Sequence, residues 1–148
     1  MNSEILSKIA ALLNSEGINY TVSVWARAGA PAVKVTSSDV VRGAFGSGAV
    51  IADAAPVSVD ELVHEISDCL GYAGDDGAGP GPNVTQSERF KELLAELATE
   101  LRSLCNSASR IERFRFKDGH PGYPIFWDFA FLVRTVKGSL VLVGSSSD

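Results

Sequence analysis

The stretch Ile125-Phe126-Trp127-Asp128-Phe129-Ala130-Phe131-Leu132-Val133 is apolar at successive positions and broken by one charge, Asp128. Strict alternation would mark a strand with one wet face. An almost unbroken apolar run predicts a strand covered on both faces, which belongs at the centre of a sheet. Downstream, Lys137-Gly138 reads as a tight hairpin turn and Leu140 to Val143 as the returning strand. Upstream, beyond the glycine- and proline-rich turn Asp118 to Pro124, Arg113, Arg115 and Lys117 alternate with Phe114 and Phe116. That pattern predicts a strand with one solvated and one dry face. The three segments together predict a C-terminal antiparallel meander.

Helices precede it. Thr85-Gln86-Ser87-Glu88 has the form of a capping box, opening a long helix that runs to about Asn106. Phe90, Leu93, Leu94, Leu97, Leu101 and Leu104 fall within an arc of about 100° on its wheel, so one face is committed to a core. A second box, Ser58-Val59-Asp60-Glu61, opens a helix with Leu62, Ile66, Cys69 and Leu70 on its apolar face and its end near Gly71. Residues 4–16 carry Ile5, Ile9, Leu12 and Leu13 at helical spacing, with Ser3 as the expected N-cap and Gly17 as the stop. At Ile18 the period changes to two, and Ile18, Tyr20, Val22 and Val24 predict a half-buried strand. Further strands are expected from Ala32 to Ser37 and from Gly48 to Ala52, the three forming a second meander. Gly71 to Asn83, with five glycines and two prolines, reads as a mobile exposed loop carrying Asp75 and Asp76. The expectation is a single α+β domain over residues 1–148, with antiparallel sheet packed against about three helices.

At 148 residues, 45% apolar and 21% charged, the composition is that of a globular chain with enough core to need no staples. Its longest apolar stretch is far short of a membrane span, and the N-terminal apolar residues, helically spaced and interrupted by Glu4, Lys8 and Glu16, lack a secretory-signal layout. A cytoplasmic location is therefore expected. Cys69 and Cys105 sit at apolar helical positions without CxxC or Cys/His pairing, which predicts buried free thiols.

The net charge of −5 is unevenly placed. Residues 52–100 hold eleven acids and two bases, whereas the other ninety-nine residues hold seven acids and eleven bases. An acidic middle prefers a basic partner and disfavours direct nucleic-acid binding. Within it, Glu88, Glu92, Glu96 and Glu100 recur at i+4 steps, forming a spiralling acidic ridge opposite Leu97. Like charges at this spacing cost a few tenths of a kcal/mol per pair, a cost that alternating Lys and Glu would avoid. The ridge therefore reads as a binding surface, with Asp60, Asp68, Asp75 and Asp76 as further candidates.

Catalytic motifs are absent from the sequence. His64 shares a helical stripe with Asp60 and Asp68, but the outer two lie about 12 Å apart along the axis, which suits solvated pairing better than one ion. His120 lies in the turn Asp118-Gly119-His120-Pro121-Gly122. Gly43-Ala44-Phe45-Gly46-Ser47-Gly48 lacks the Lys-Ser/Thr of a phosphate loop and reads as a turn or hairpin tip. The rings of Phe114 and Phe116 alternate away from Arg113, Arg115 and Lys117, which favours core packing over base stacking. No enzymatic activity, cofactor or metal is expected.

The run Pro124-Ile125-Phe126-Trp127-Asp128-Phe129-Ala130-Phe131, the Lys137-Gly138 hairpin, Leu140 to Val143 and the terminal Gly144-Ser145-Ser146-Ser147-Asp148 resemble the closing hairpin of immunity proteins from bacterial contact-dependent growth inhibition and related polymorphic-toxin systems. The resemblance covers about 40 residues. It implies a non-enzymatic protein that binds one cognate toxin domain, often a nuclease, and blocks its active site as a monomer or 1:1 heterocomplex. Acidic secretion chaperones are the alternative class. Those it would resemble end in a helix and dimerise through it, whereas the hairpin here is followed by a serine run.

Overall fold

The computed structural model describes residues 1–29 and 35–148. In chain order the elements are α1 (Ser3–Ser15), β1 (Thr21–Ala28), α2 (Ser37–Phe45), β2 (Val50–Pro56), α3 (Val59–Leu70), α4 (Pro82–Thr85), α5 (Glu88–Asn106), β3 (Ala108–Asp118), β4 (Trp127–Thr135) and β5 (Gly138–Ser147). The strands form one antiparallel sheet in the order β1-β5-β4-β3-β2. The fold is α+β, and β3, β4 and β5 form the expected C-terminal meander.

β4 is the middle strand, as its apolar run requires. Phe129, Phe131 and Val133 point to one face, where they pack with Ile9, Leu13, Leu62, Ile66, Leu93, Leu97 and Leu101 of α1, α3 and α5. Ala130 and Leu132 point to the other face, onto Val40 and Val41 of α2 with Val141 and Val143. The run overshoots the strand at its start: Ile125 is 54% exposed, and Trp127 is only half-buried, its indole N–H donating to the Tyr20 hydroxyl at 2.8 Å.

The three helices that the sequence announces lie together on one face. α1 begins one residue earlier than expected, with Asn2 rather than Ser3 accepting at the N-cap. α3 has both halves of its Ser58–Glu61 capping box. α5 is capped by Ser87, whose hydroxyl accepts from the Phe90 N–H, rather than by the expected Thr85–Glu88 box, since Thr85 ends the short α4. Pro82 sets the first turn of α4, which leaves Ser87 as the next side chain free to cap.

The segments between α1 and α3 differ from expectation. Of the strand expected over Ala32 to Ser37, residues 32–34 lie outside the described residues, Val35 and Thr36 are not in a strand, and Ser37 begins α2. There Thr36 and Asp39 form a capping box around Val40 and Val41, which face the sheet. Gly43 to Gly48 holds in part: its first residues end α2, Gly46 takes φ 99° as the cap, a conformation suited to glycine, and Ser47-Gly48 form the expected turn, closed by the Ala49 N–H donating to the Gly46 carbonyl at 3.1 Å, rather than a hairpin tip. The N-terminal meander does not form, because β1 and β2 lie at opposite edges of the sheet and pair with β5 and β3. Local periodicity reports burial; it does not report which strand supplies the partner.

The glycine-rich stretch after α3 is tied down. Ile18 and Gly79 exchange both backbone hydrogen bonds at 3.0 Å, and Asp75 and Ala78 close a turn. Gly79, Pro80 and Gly81 are buried, the last against Glu16. The glycines serve close backbone approach here. The pairing also takes Ile18 out of β1 and leaves its side chain 66% exposed.

Candidate functional site: an acidic helix layer

The Asn2 N–H donates to a Glu100 carboxylate oxygen at 3.0 Å, so the start of α1 meets the end of α5. Arg102 donates to Asp60 at 2.6 Å, so the start of α3 also meets the end of α5. α1 and α3 therefore flank α5 antiparallel to it. Charge segregated along the sequence becomes charge segregated by layer. α1, α3 and α5 carry nine acids against four bases, whereas the strands and α2 carry five acids against seven bases.

The ridge residues differ among themselves. Each i+4 step advances about 40°, so four glutamates sweep about 120° around α5. Glu88, Glu92 and Glu96 are exposed on the outer surface, while Glu100 has turned towards α1 and is half-buried against Asn2. Glu88 pairs with Lys91 at 3.3 Å and Glu92 lies 3.9 Å from Arg89. Glu96 meets no cation among the described residues. Exposed pairs of this type contribute little and exchange readily for an incoming cation.

Asp60 is held by Arg102 on the α3 side of the layer, and Asp68 lies 3.0 Å from the ring Nε2 of His64. Asp75 and Asp76 are exposed on the turn closed at Ala78. The Ile18–Gly79 pairing places that turn at the end of the layer where α1 finishes and α5 begins. Glu88, Glu92, Glu96, Asp75 and Asp76 thus lie on the outer surface and the N-terminal end of α5. Asp60 and Asp68 occupy the neighbouring α3, and Glu100 is withdrawn to the α1 flank. Among the described residues no three His, Cys, Asp or Glu side chains converge as a metal-binding group, and Asp60, His64 and Asp68 are all exposed.

The three arginines of β3 are matched by acids inside the molecule. Arg113 pairs with Glu65 of α3, Arg115 with Asp53 of β2, and Arg110 with Glu112 at 3.2 Å. Glu112 is the residue that sequence reasoning missed. It is 3% exposed, and its carboxylate accepts from the Ser37 hydroxyl at 2.9 and 3.1 Å with Arg134 Nε 3.6 Å away. It ties the start of α2 to the sheet. Its signal was the break in the Arg-Phe alternation at Ile111-Glu112, which puts an acid on the dry side of the strand.

Both thiols are free; Cys105 is buried as expected, whereas Cys69 is only half-buried. Burial, with the charges of Glu65, Asp128 and Asp68, pushes Cys69 up to about 12, and burial also raises Cys105. At neutral pH both are protonated and non-nucleophilic. No family model, curated protein or solved structure matches the chain.

Proposed function

We propose that this chain is an immunity protein that binds one cognate toxin domain through its acidic helix layer, and that it acts by occlusion rather than by catalysis. The observation that carries the reading is the row Glu88, Glu92 and Glu96, exposed on α5 in a layer with more than twice as many acids as bases. A nuclease is the favoured toxin, because its substrate cleft must be basic to hold a phosphate backbone. Carboxylates at regular spacing present that cleft with the charge it is built to receive, and the layer's field accelerates encounter. Asp75 and Asp76 extend the surface past the start of α5, with Asp60 and Asp68 as outlying contacts on α3. Complex formation in the cytoplasm, where toxin entering the cell would act, follows from this reading.

The test is coexpression of the adjacent toxin domain with wild-type protein and with the double variant Glu92→Lys/Glu96→Lys, measuring cell survival and affinity. Loss of protection with retained folding is the expected result; full protection by the double variant removes the ridge as the binding site. Recovery of a secreted effector in place of a toxin would move the reading to the acidic secretion chaperone.

A further inference from the structure

The two edges of the sheet are built differently. At the β2 edge, Asp53 takes φ 57°, the register with β3 shifts twice, and Pro56 offers no N–H. Bulges and proline are the usual defences of an edge against strand addition. At the β1 edge, odd-numbered residues turn their backbone groups towards β5, continuing to Gly29, whose N–H donates to the Ser139 carbonyl at 3.0 Å. Even-numbered residues face outward. Val22 is closed by the Asn14 side chain, but Val24, Ala26 and Ala28 have no outward hydrogen-bond partner among the described residues.

We propose that β1 pairs antiparallel with β1 of a second copy of this chain, joining two five-stranded sheets across a two-fold axis at Ala26. The open window is symmetric about that residue. Pairing Ala26 with its own mate sets Val24 opposite the second copy's Ala28 on one face. On the other face it sets Trp25 opposite the second copy's Arg27. A guanidinium beside an indole is an attractive cross-strand pair. Arg27 is exposed and already lies over one ring, Phe45, at 4.8 Å.

The helix above this edge fits the same axis. The Asn14 contact shows which flank of α1 faces outward over β1, and that flank continues through Ala10, Ser7 and Ser3. Ser7 lies about 10 Å from Asn14 along α1, close to the roughly 13 Å from Val22 to Ala26 along β1. In a continuous sheet, α1 and its mate would meet near Ser7 at a helix separation of about 8–10 Å, which small side chains permit. No charge lies on this flank, although the helix layer as a whole is acidic. Two copies can close here without setting like charges against each other, and the acidic surface of α5 stays free in each.

The test measures solution mass against concentration, together with amide exchange. The expected result is twice 15.6 kDa at high micromolar concentration, falling to a single chain on dilution, with Val24 and Ala26 amide exchange slowed only in the dimer. Ser7→Glu, an exposed substitution that spares the core, should weaken association about tenfold or more by placing like charges at the axis. An unfolding midpoint equal to that of the wild type, at a dilution where both are single chains, confirms that this variant is folded. A single-chain mass at every concentration overturns the proposal. So does a dimer indifferent to Ser7→Glu, or one that leaves the Val24 and Ala26 amides unprotected. A monomer that still neutralises a toxin overturns this pairing alone and leaves the acidic-layer reading standing.

Discussion

The Asn14 side chain stands in for a neighbouring strand at Val22: its oxygen accepts from the Val22 N–H at 2.7 Å and its amide donates to the Val22 carbonyl at 2.9 Å. One side chain thereby anchors the last turn of α1 to the sheet edge. Each such bond contributes about 1 kcal/mol net, so Asn14→Ala should cost about 1–2 kcal/mol. Equilibrium urea unfolding should show this as a lowered midpoint with unchanged slope; an unchanged midpoint would mean that water replaces both bonds without loss.

Phe129 is 3% exposed and lies directly over Gly144 of β5, where a Cβ would collide with the ring. The two residues fit as a large–small pair across β4 and β5, which are in direct register at this position. Phe129→Ala should cost about 3–5 kcal/mol. Gly144→Ala should cost about 1–3 kcal/mol through overpacking, since Val24 closes the site from the β1 side. Denaturant unfolding of the two variants checks the fit from both sides, and wild-type stability in either would break it.

What the sequence revealed and what it hid divide along the range of the interactions. β4 was legible because an apolar run reports two-sided burial directly. α3 was legible because Ser58 and Glu61 cap each other within one turn. α2 carries the same short-range signature at Thr36 and Asp39, but the alternating Ala32-Val33-Lys34-Val35 ahead of it read as a strand running through. The pairing of β1 with β5 depends on residues more than a hundred positions apart and left no local trace. The acidic ridge was visible as spacing, yet the withdrawal of Glu100 from it depends on Asn2, the first cap of a distant helix.

Glu112 marks the same limit in the core. It is buried with Arg134, Arg110 and Ser37 around it, so removing it strands cationic and hydroxyl groups that were placed for it. Glu112→Ala should cost about 3–5 kcal/mol, the usual effect of breaking one side of a buried pair. Adding Arg134→Ala should cost much less than its effect in the wild-type background, and a double-mutant cycle in denaturant measures the difference.

Acid should loosen the turn before β4. The His120 ring packs edge-on against Phe116 at 4.9 Å, and its Nδ1 accepts from the Gly122 N–H at 2.9 Å. Burial lowers its pKa from 6.5, a direction that the nearby Asp128 carboxylate only partly opposes. The unfolded chain then takes the proton more readily than the folded one, and stability falls as pH drops below about 6.5. The loss grows until pH passes below the folded pKa, where this group's contribution to the slope vanishes. His120→Phe removes the titration, so its stability against pH should be flatter across this window even with a lower baseline. An unchanged slope would assign the acid sensitivity to other groups.

Glu96 and Glu100 are one helical turn apart, and the proposed function gives them opposite phenotypes. Glu96 is exposed and meets no cation among the described residues, so Glu96→Lys should leave folding unchanged while opposing a basic partner directly. Glu100 accepts from Asn2 at the start of α1, so Glu100→Lys should lower stability and affect binding less. Close interfacial charge pairs couple by about 1.5–7 kcal/mol, so Glu92→Lys with Glu96→Lys should weaken the toxin complex by orders of magnitude. Charges at the rim act mainly on the association rate, so the same wild-type complex should associate more slowly as salt rises through the range where the Debye length shrinks from about 30 to about 8 Å. Stopped-flow association at several ionic strengths, run beside urea unfolding of each variant, separates the two effects. A Glu96→Lys protein that binds with wild-type rate and affinity would place the toxin on another surface.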